Sequence, residues 1–229
     1  MDAMDVKDGR KRTRRLGRVA RDSRPLAATM LAAAMTVAFA MAGCSGGGDE
    51  TVSSSDAAVS EHSENRVLIK TSKGTIEVEL YPDKAPKTVD NFLAYIDAGF
   101  YDGTIFHRVI EDFMVQGGGY DSEKQRKSTR DPVDNEASNG IKNEVGALAM
   151  ARTSAPHSAT SQFFINVKEN KFLDFKSETP SGWGYTVFGK VVDGMDVVRV
   201  IEQSPTKDQG GAFRDIPEEA IVIESISRK

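Results

Sequence analysis

Strict alternation of polar and apolar positions sets in near residue 66. Thr75–Leu80 puts Ile76, Val78 and Leu80 on one face and Thr75, Glu77 and Glu79 on the other. A period of two marks a half-buried strand. Arg66–Thr71, joined to it through Ser72-Lys73-Gly74, completes an antiparallel hairpin. The period then changes. Behind Pro86, Val89, Phe92, Leu93 and Ile96 fall at i, i+3, i+4 and i+7, and Gly99 stands at the end. That spacing predicts an amphipathic helix with a proline in its first turn and a glycine stop. Short β-branched and aromatic runs follow at 105–110, 113–116, 146–151, 162–167, 186–192 and 221–226, while Val197, Val198 and Ile201 predict a second helix over 194–203. The stretch 105–119 reads as two strands around a Glu111-Asp112 turn, the second stopped by Gly117-Gly118-Gly119. The total is eight short strands and two helices, with neither βαβ alternation nor an internal repeat. The expected fold is mainly β: a closed eight-stranded antiparallel barrel capped by two α-helices, because closure removes the sheet edges. A sandwich is the alternative.

Two regions lack this periodicity. Asp121 to Asn143 is polar and long for a connection in a compact domain, hence a functional loop or a surface excursion. Residues 1–65 divide at Cys44. Arginines and lysines crowd residues 10–24, an uncharged Ala- and Met-rich run spans Leu26 to Ala42, and Met41-Ala42-Gly43-Cys44 ends it. A basic segment, an apolar segment and small residues at the cut describe a secretory signal peptide. The small-small-Cys ending resembles a bacterial lipobox, which implies that Cys44 becomes the first mature residue and carries lipid. Residues 44–65 are Gly-, Ser- and acid-rich, a flexible tether spanning about 25 Å. The expected organisation is therefore 1–43 signal peptide, 44–65 tether and 66–229 folded domain, held outside the cytoplasm on the bacterial membrane.

Charge sharpens this division. Residues 1–44 hold nine Lys/Arg against four Asp/Glu, a net of +5; the whole chain carries −4, so the remainder carries −9. An acidic domain argues against a nucleic-acid partner, which needs a basic face. One cysteine among 229 residues leaves no intrachain disulfide. The glycine run lacks the Lys-Ser/Thr of a phosphate loop, so a turn with positive φ is the expectation there. His107, Glu111 and Asp112 are metal-ligating types, but nothing else supports a metal site.

Phe106-His107-Arg108, Phe113-Met114-Val115-Gln116-Gly117-Gly118, Met150-Ala151-Arg152, Ser161-Gln162-Phe163-Phe164-Ile165 and Val187-Phe188-Gly189 together resemble a cyclophilin, from about Arg66 to the C-terminus. Ala155-Pro156-His157-Ser158-Ala159-Thr160 and Gly182-Trp183-Gly184-Tyr185 resemble its bacterial branch. The resemblance implies a prolyl cis-trans isomerase with an eight-stranded barrel and two capping helices. Matched position by position, it implies Arg108 as the catalytic arginine. Phe113, Met114, Phe164 and Leu173 would form the proline pocket. Gln116 and Gln162 would be the amides beside the substrate, with Gln116 next to Arg108 and able to hold its guanidinium. Ala151 and Arg152 would form the backbone ledge, and His107 would border the site. Well-studied eukaryotic members carry Asn, Trp and His where Arg152, Phe172 and Tyr185 stand; Phe172 and Tyr185 are expected at the substrate site nonetheless. The implied partners are proline-containing peptides and unfolded exported proteins, and the expected state is a monomer.

Such chemistry suits these residues. Peptide-bond resonance opposes rotation by ~18–20 kcal/mol. Rotation breaks no bond and moves no proton, so no nucleophile, metal or cofactor is required. A donor aimed at the imide nitrogen, whose lone pair returns only when the bond is twisted, stabilises the transition state selectively. Arginine supplies several donors and stays charged. The rival reading is a tethered proline-peptide-binding chaperone whose isomerase activity is incidental.

Overall fold

A computed structural model describes residues 65–229. The order is β1 (Arg66–Thr71), β2 (Gly74–Leu80), α1 (Pro86–Asp97), β3 (Thr104–Ile110), β4 (Met114–Asp121), β5 (Ala147–Met150), β6 (Phe163–Asn166), β7 (Val187–Asp193), α2 (Met195–Glu202), β8 (Thr206–Lys207), β9 (Ile216–Pro217) and β10 (Val222–Arg228). Eight strands close in the order β1-β10-β3-β4-β6-β5-β7-β2, every pairing antiparallel, and β8 and β9 form a separate two-stranded hairpin. The barrel, not the sandwich, is the fold. The expectations for the signal peptide, Cys44 and the tether before residue 65 lie outside the described residues.

Both faces of the central strands are apolar, and alternation divides them between two clusters. Val115, Leu148, Met150, Phe163, Ile165 and Phe188 point into the barrel. Their neighbours Met114, Ala147, Ala149, Phe164 and Val187 point outward and form a second cluster with Leu173. The helices join the inner cluster: α1 inserts Val89, Phe92 and Ile96, and α2 inserts Val198 and Ile201. Phe92 sits among Phe188, Tyr101 and Phe163 at ring-centroid distances of 5.1, 5.2 and 5.6 Å.

One local expectation changes, one is made specific, and one element is new. First, the glycine run does not end β4, which continues through it to Asp121. Only Gly118 of the three has positive φ, at +79°. A Cβ on Gly118 would come within 2.9 Å of both Phe163 and Tyr101, and one on Gly119 within 2.5 Å of Gln162. These glycines let β6 and its flank approach β4 closely. Second, residues 121–143 are an ordered strap. Glu136, placed there, accepts from the backbone N–H groups of Lys87 (3.1 Å) and Thr88 (2.8 Å) and from the Thr88 hydroxyl (2.6 Å). It thereby caps α1, whose own N-cap, Ala85, has no side chain to do so. Third, the β8–β9 hairpin was not legible from the pattern at all.

Candidate active site

The outward cluster forms the floor of a pocket on the barrel wall. Arg108 from β3, Met114 and Gln116 from β4, Phe164 from β6, and Phe113, Ala151, Arg152, Leu173 and Tyr185 from connecting segments line a cavity of about 130 Å³. This is well below the ~300–1,000 Å³ of drug-sized ligand sites, and suits one small apolar ring. A depression of about 640 Å³ adjoins it, sharing Arg152, Leu173 and Tyr185 and adding Phe172, Pro180 and Ser181. Ring pocket and depression together make a groove for a short stretch of chain. A further depression of about 530 Å³ beside Asp90, Asn91 and residues 129–133 has a mostly polar wall and no aromatic floor.

The walls are fixed by specific contacts. Gln116 Nε2 donates to Gln162 Oε1 at 2.9 Å, so the two amides brace one another across β4 and β6. Gln162 itself is not among the lining residues. Arg152 donates from Nε to the Gly184 carbonyl at 2.8 Å, and its guanidinium lies 4.7 Å from the Tyr185 ring centroid. Its charge is thus partly spent on the aromatic face rather than projected into the cavity. Tyr185 packs edge-on against Phe164 at 5.7 Å. Gly184, at φ +64°, leaves room where a Cβ would stand 2.6 Å from backbone atoms of Leu173, Asp174 and Phe175. Phe172 is 64% exposed and stacks on Phe113 at 5.5 Å, extending the apolar wall into solvent. Behind the site, the loop after β5 is braced by His157, whose Nδ1 accepts from the Asn135 N–H at 3.0 Å and whose ring packs on Trp183 at 4.7 Å.

Arg108 is held differently from the expectation. Gln116 is its cross-strand partner in the β3–β4 register, but the Gln116 amide is engaged with Gln162. The guanidinium instead donates through Nε to Asp215 Oδ2 at 3.2 Å. Asp215 lies 107 residues downstream, and no local pattern marks it.

His107 sits beside Arg108 where the β3–β4 register is irregular, and its ring packs against Tyr120 and, at 6.4 Å, Phe213. It is 2% exposed, lies edge-on to Tyr120 at 4.8 Å and is not among the lining residues. Burial, reinforced by the neighbouring Arg108 charge, pushes its pKa down to about 4 from the ordinary 6.5, against weaker opposing contacts from Ile105 and Gln162. The imidazole is therefore neutral near pH 7. A base whose folded pKa is depressed contributes stability that is complete above pH 6.5 and is lost as pH falls toward 4, because the unfolded chain takes up the proton first. At ~1.4 kcal/mol per pH unit, this gives about 3 kcal/mol in all. His107→Gln is expected to flatten the decline in unfolding free energy between pH 6.5 and 4.5, as read from urea melts at each pH. An unaltered slope would assign the acid sensitivity elsewhere.

Comparison with known proteins agrees with this architecture. Residues 66–228 match the family model for the cyclophilin type peptidyl-prolyl cis-trans isomerases. The peptidyl-prolyl cis-trans isomerase cyp18 of Streptomyces antibioticus is 57% identical over 159 residues, 69% of this chain and 95% of that protein. Peptidyl-prolyl cis-trans isomerase B of Escherichia coli is 54% identical over 161 residues, covering 70% and 98%. Among solved structures, a cyclophilin type isomerase of Cryptosporidium parvum, crystallised in the presence of the dipeptide Ala-Pro, superposes with a TM-score of 0.59 at 29% identity, over 72% of this chain and 98% of that one. With the closed barrel and the match over nearly the whole described domain in agreement, the chain belongs to the cyclophilin-type peptidyl-prolyl cis-trans isomerases.

Proposed function

We propose that this isomerase works outside the cytoplasm, tethered to the membrane through a lipid on Cys44, and turns X-Pro bonds in exported proteins with Arg108 as its electrostatic catalyst. The observation that carries the catalytic assignment is the guanidinium of Arg108, held by Asp215, on the rim of a one-ring pocket with an apolar floor. Phe113, Met114, Phe164 and Leu173 grip the proline ring. The backbone of Ala151 and Arg152, beyond the end of β5, offers a ledge for the substrate main chain. With the ring held, the preceding carbonyl swings. As the imide C–N bond twists, its nitrogen regains a lone pair, and an N–H of Arg108 donates to it. Planar ground states offer no such acceptor, so the interaction lowers the barrier without tightening ground-state binding. No proton changes hands, and a neutral, buried His107 outside the pocket lining has no part in the step.

Location rests on the basic, apolar and small-small-Cys segments before residue 45 and on the polar residues that follow them. Two or more acyl chains on Cys44 would anchor the domain stably, and the tether would let the groove sweep the nearby membrane surface. Expressed in its full length, the protein is expected in the membrane fraction with an acylated N-terminal cysteine detectable by mass spectrometry. Cys44→Ala is expected to remove the lipid mass while leaving isomerase turnover unchanged. An unmodified Cys44 in a membrane-free protein would refute the anchor while leaving the enzyme assignment intact.

A further inference from the structure

We propose that Asp215 is the positioning residue of Arg108, presented by the small hairpin of residues 206–217. This inference rests on the reading of Arg108 as the catalyst. Arginine has five N–H donors in a rigid planar fork. Asp215 engages only Nε, at 3.2 Å. Among the described residues, the two terminal nitrogens of Arg108 have no hydrogen-bond partner, and the side chain lines the ring pocket. A bond at Nε fixes the orientation of the fork while leaving its reactive edge free. Gln116, the other group in reach along the strand pair, is committed to Gln162.

The mounting of Asp215 is well determined. Its own carbonyl accepts from the N–H of Val109 at 2.8 Å, the residue next to Arg108. Carboxylate and guanidinium are therefore tied through one backbone bond as well as through the ion pair. Ile216, next along, is buried, and pairs with Lys207 as Pro217 pairs with Thr206. The Gln209 N–H closes the hairpin tip on the Phe213 carbonyl at 2.9 Å, and the Phe213 ring packs edge-on against Tyr120 of β4 at 4.9 Å. The hairpin thus grips the same two strands that carry Arg108 and Gln116.

The ion pair is a poor candidate for a stability device. Both side chains remain more than a third exposed, where such pairs contribute little. A carboxylate also offsets part of the charge that the twisted bond would feel. Its benefit must therefore come through placement, where a displacement of about 1 Å can cost up to ~100-fold in rate.

The test is exchange NMR on the folded domain with an Ala-Pro peptide, which reads peptide affinity and on-enzyme exchange separately, for wild type, Asp215→Ala, Asp215→Asn, Arg108→Ala and the double variant Arg108→Ala/Asp215→Ala. Asp215→Ala is expected to slow on-enzyme exchange about tenfold, the equivalent of ~1.4 kcal/mol, with peptide affinity within about twofold. Asp215→Asn, which keeps an acceptor oxygen in place, is expected to recover most of that loss. The double variant should be no slower than Arg108→Ala, because Asp215 acts only through Arg108. Normal exchange in Asp215→Ala beside a collapsed Arg108→Ala would overturn the inference and spare the function. So would a further loss on adding Asp215→Ala to Arg108→Ala, which would mean an effect on the fold instead. Wild-type exchange in Arg108→Ala would instead remove the catalytic reading itself.

Discussion

Arg108→Ala is expected to reduce kcat/KM for an X-Pro peptide by about 100- to 1,000-fold, equivalent to ~3–4 kcal/mol of lost transition-state stabilisation. The size follows from what the site contains. Of the two arginines that line the pocket, Arg152 is engaged with Gly184 and Tyr185; Arg108 has its fork fixed at Nε by Asp215, and the floor beneath it is apolar. Weak screening there makes a preorganised donor count for more than it would in water. Ring clamping by Phe113, Met114 and Phe164 survives the substitution, so activity should fall without vanishing. Arg108→Lys keeps the charge but replaces the planar fork with a flexible point donor, and an intermediate loss is expected. Neither variant should lower the unfolding free energy by more than ~1 kcal/mol, since the lost ion pair is partly exposed. A protease-coupled assay together with a urea melt reads both quantities.

The second large effect is on the fold. Phe92→Ala is expected to cost about 4 kcal/mol of stability, a large part of the ~5–15 kcal/mol of an ordinary domain. Phe92 is fully buried and touches Tyr101, Phe163 and Phe188, so one ring joins α1 to three separate parts of the barrel. Backbone contacts around it are fixed by closed strand pairing, which limits how far the cavity can collapse. The midpoint of a urea melt should drop by on the order of 2 M for a denaturant slope of ~2 kcal/mol/M. The site lies on the outer face of β4 and β6, whereas Phe92 packs on the inner face. Molecules that remain folded should therefore turn over peptide at near the wild-type rate. A drop of under 1 kcal/mol would mean that α1 is a loosely held lid rather than part of the core.

Much of this architecture was legible because its elements obey local periodicities. The period-two run of β2 and the Val89-Phe92-Leu93-Ile96 stripe of α1 are signals that tertiary packing reinforces. The central strands were legible as apolar runs because both their faces are buried, one inside the barrel and one under the groove. What escaped depends on distant partners. Gly117–Gly119 read as a stop, yet the glycines are there for close approach by Gln162, Phe163 and Tyr101. The cap of α1 comes from Glu136, 48 residues beyond Thr88. Strands of two residues, as in β8 and β9, carry no periodicity. At the site, the lining residues Arg108, Phe113, Met114, Gln116, Ala151, Arg152, Phe164, Leu173 and Tyr185 stand in motifs legible in the sequence, whereas Asp215 does not. A carboxylate between two short strands looks like any solvated acid until the fold brings it to β3. His107 is the converse case: imidazole beside arginine suggests chemistry, but the ring is buried against Tyr120 and outside the pocket lining.

The central claim is that Arg108 acts on the twisted bond and not on peptide binding. Exchange spectroscopy on a saturating X-Pro peptide tests it most directly, because it reports the cis-trans rate of the bound peptide apart from its affinity. The account predicts that Arg108→Ala leaves the dissociation constant within about threefold of wild type while the bound-state exchange rate falls at least 100-fold. A variant that loses affinity by that factor but exchanges bound peptide at the wild-type rate would contradict it, and would make Arg108 a binding residue in a groove whose catalysis has another source.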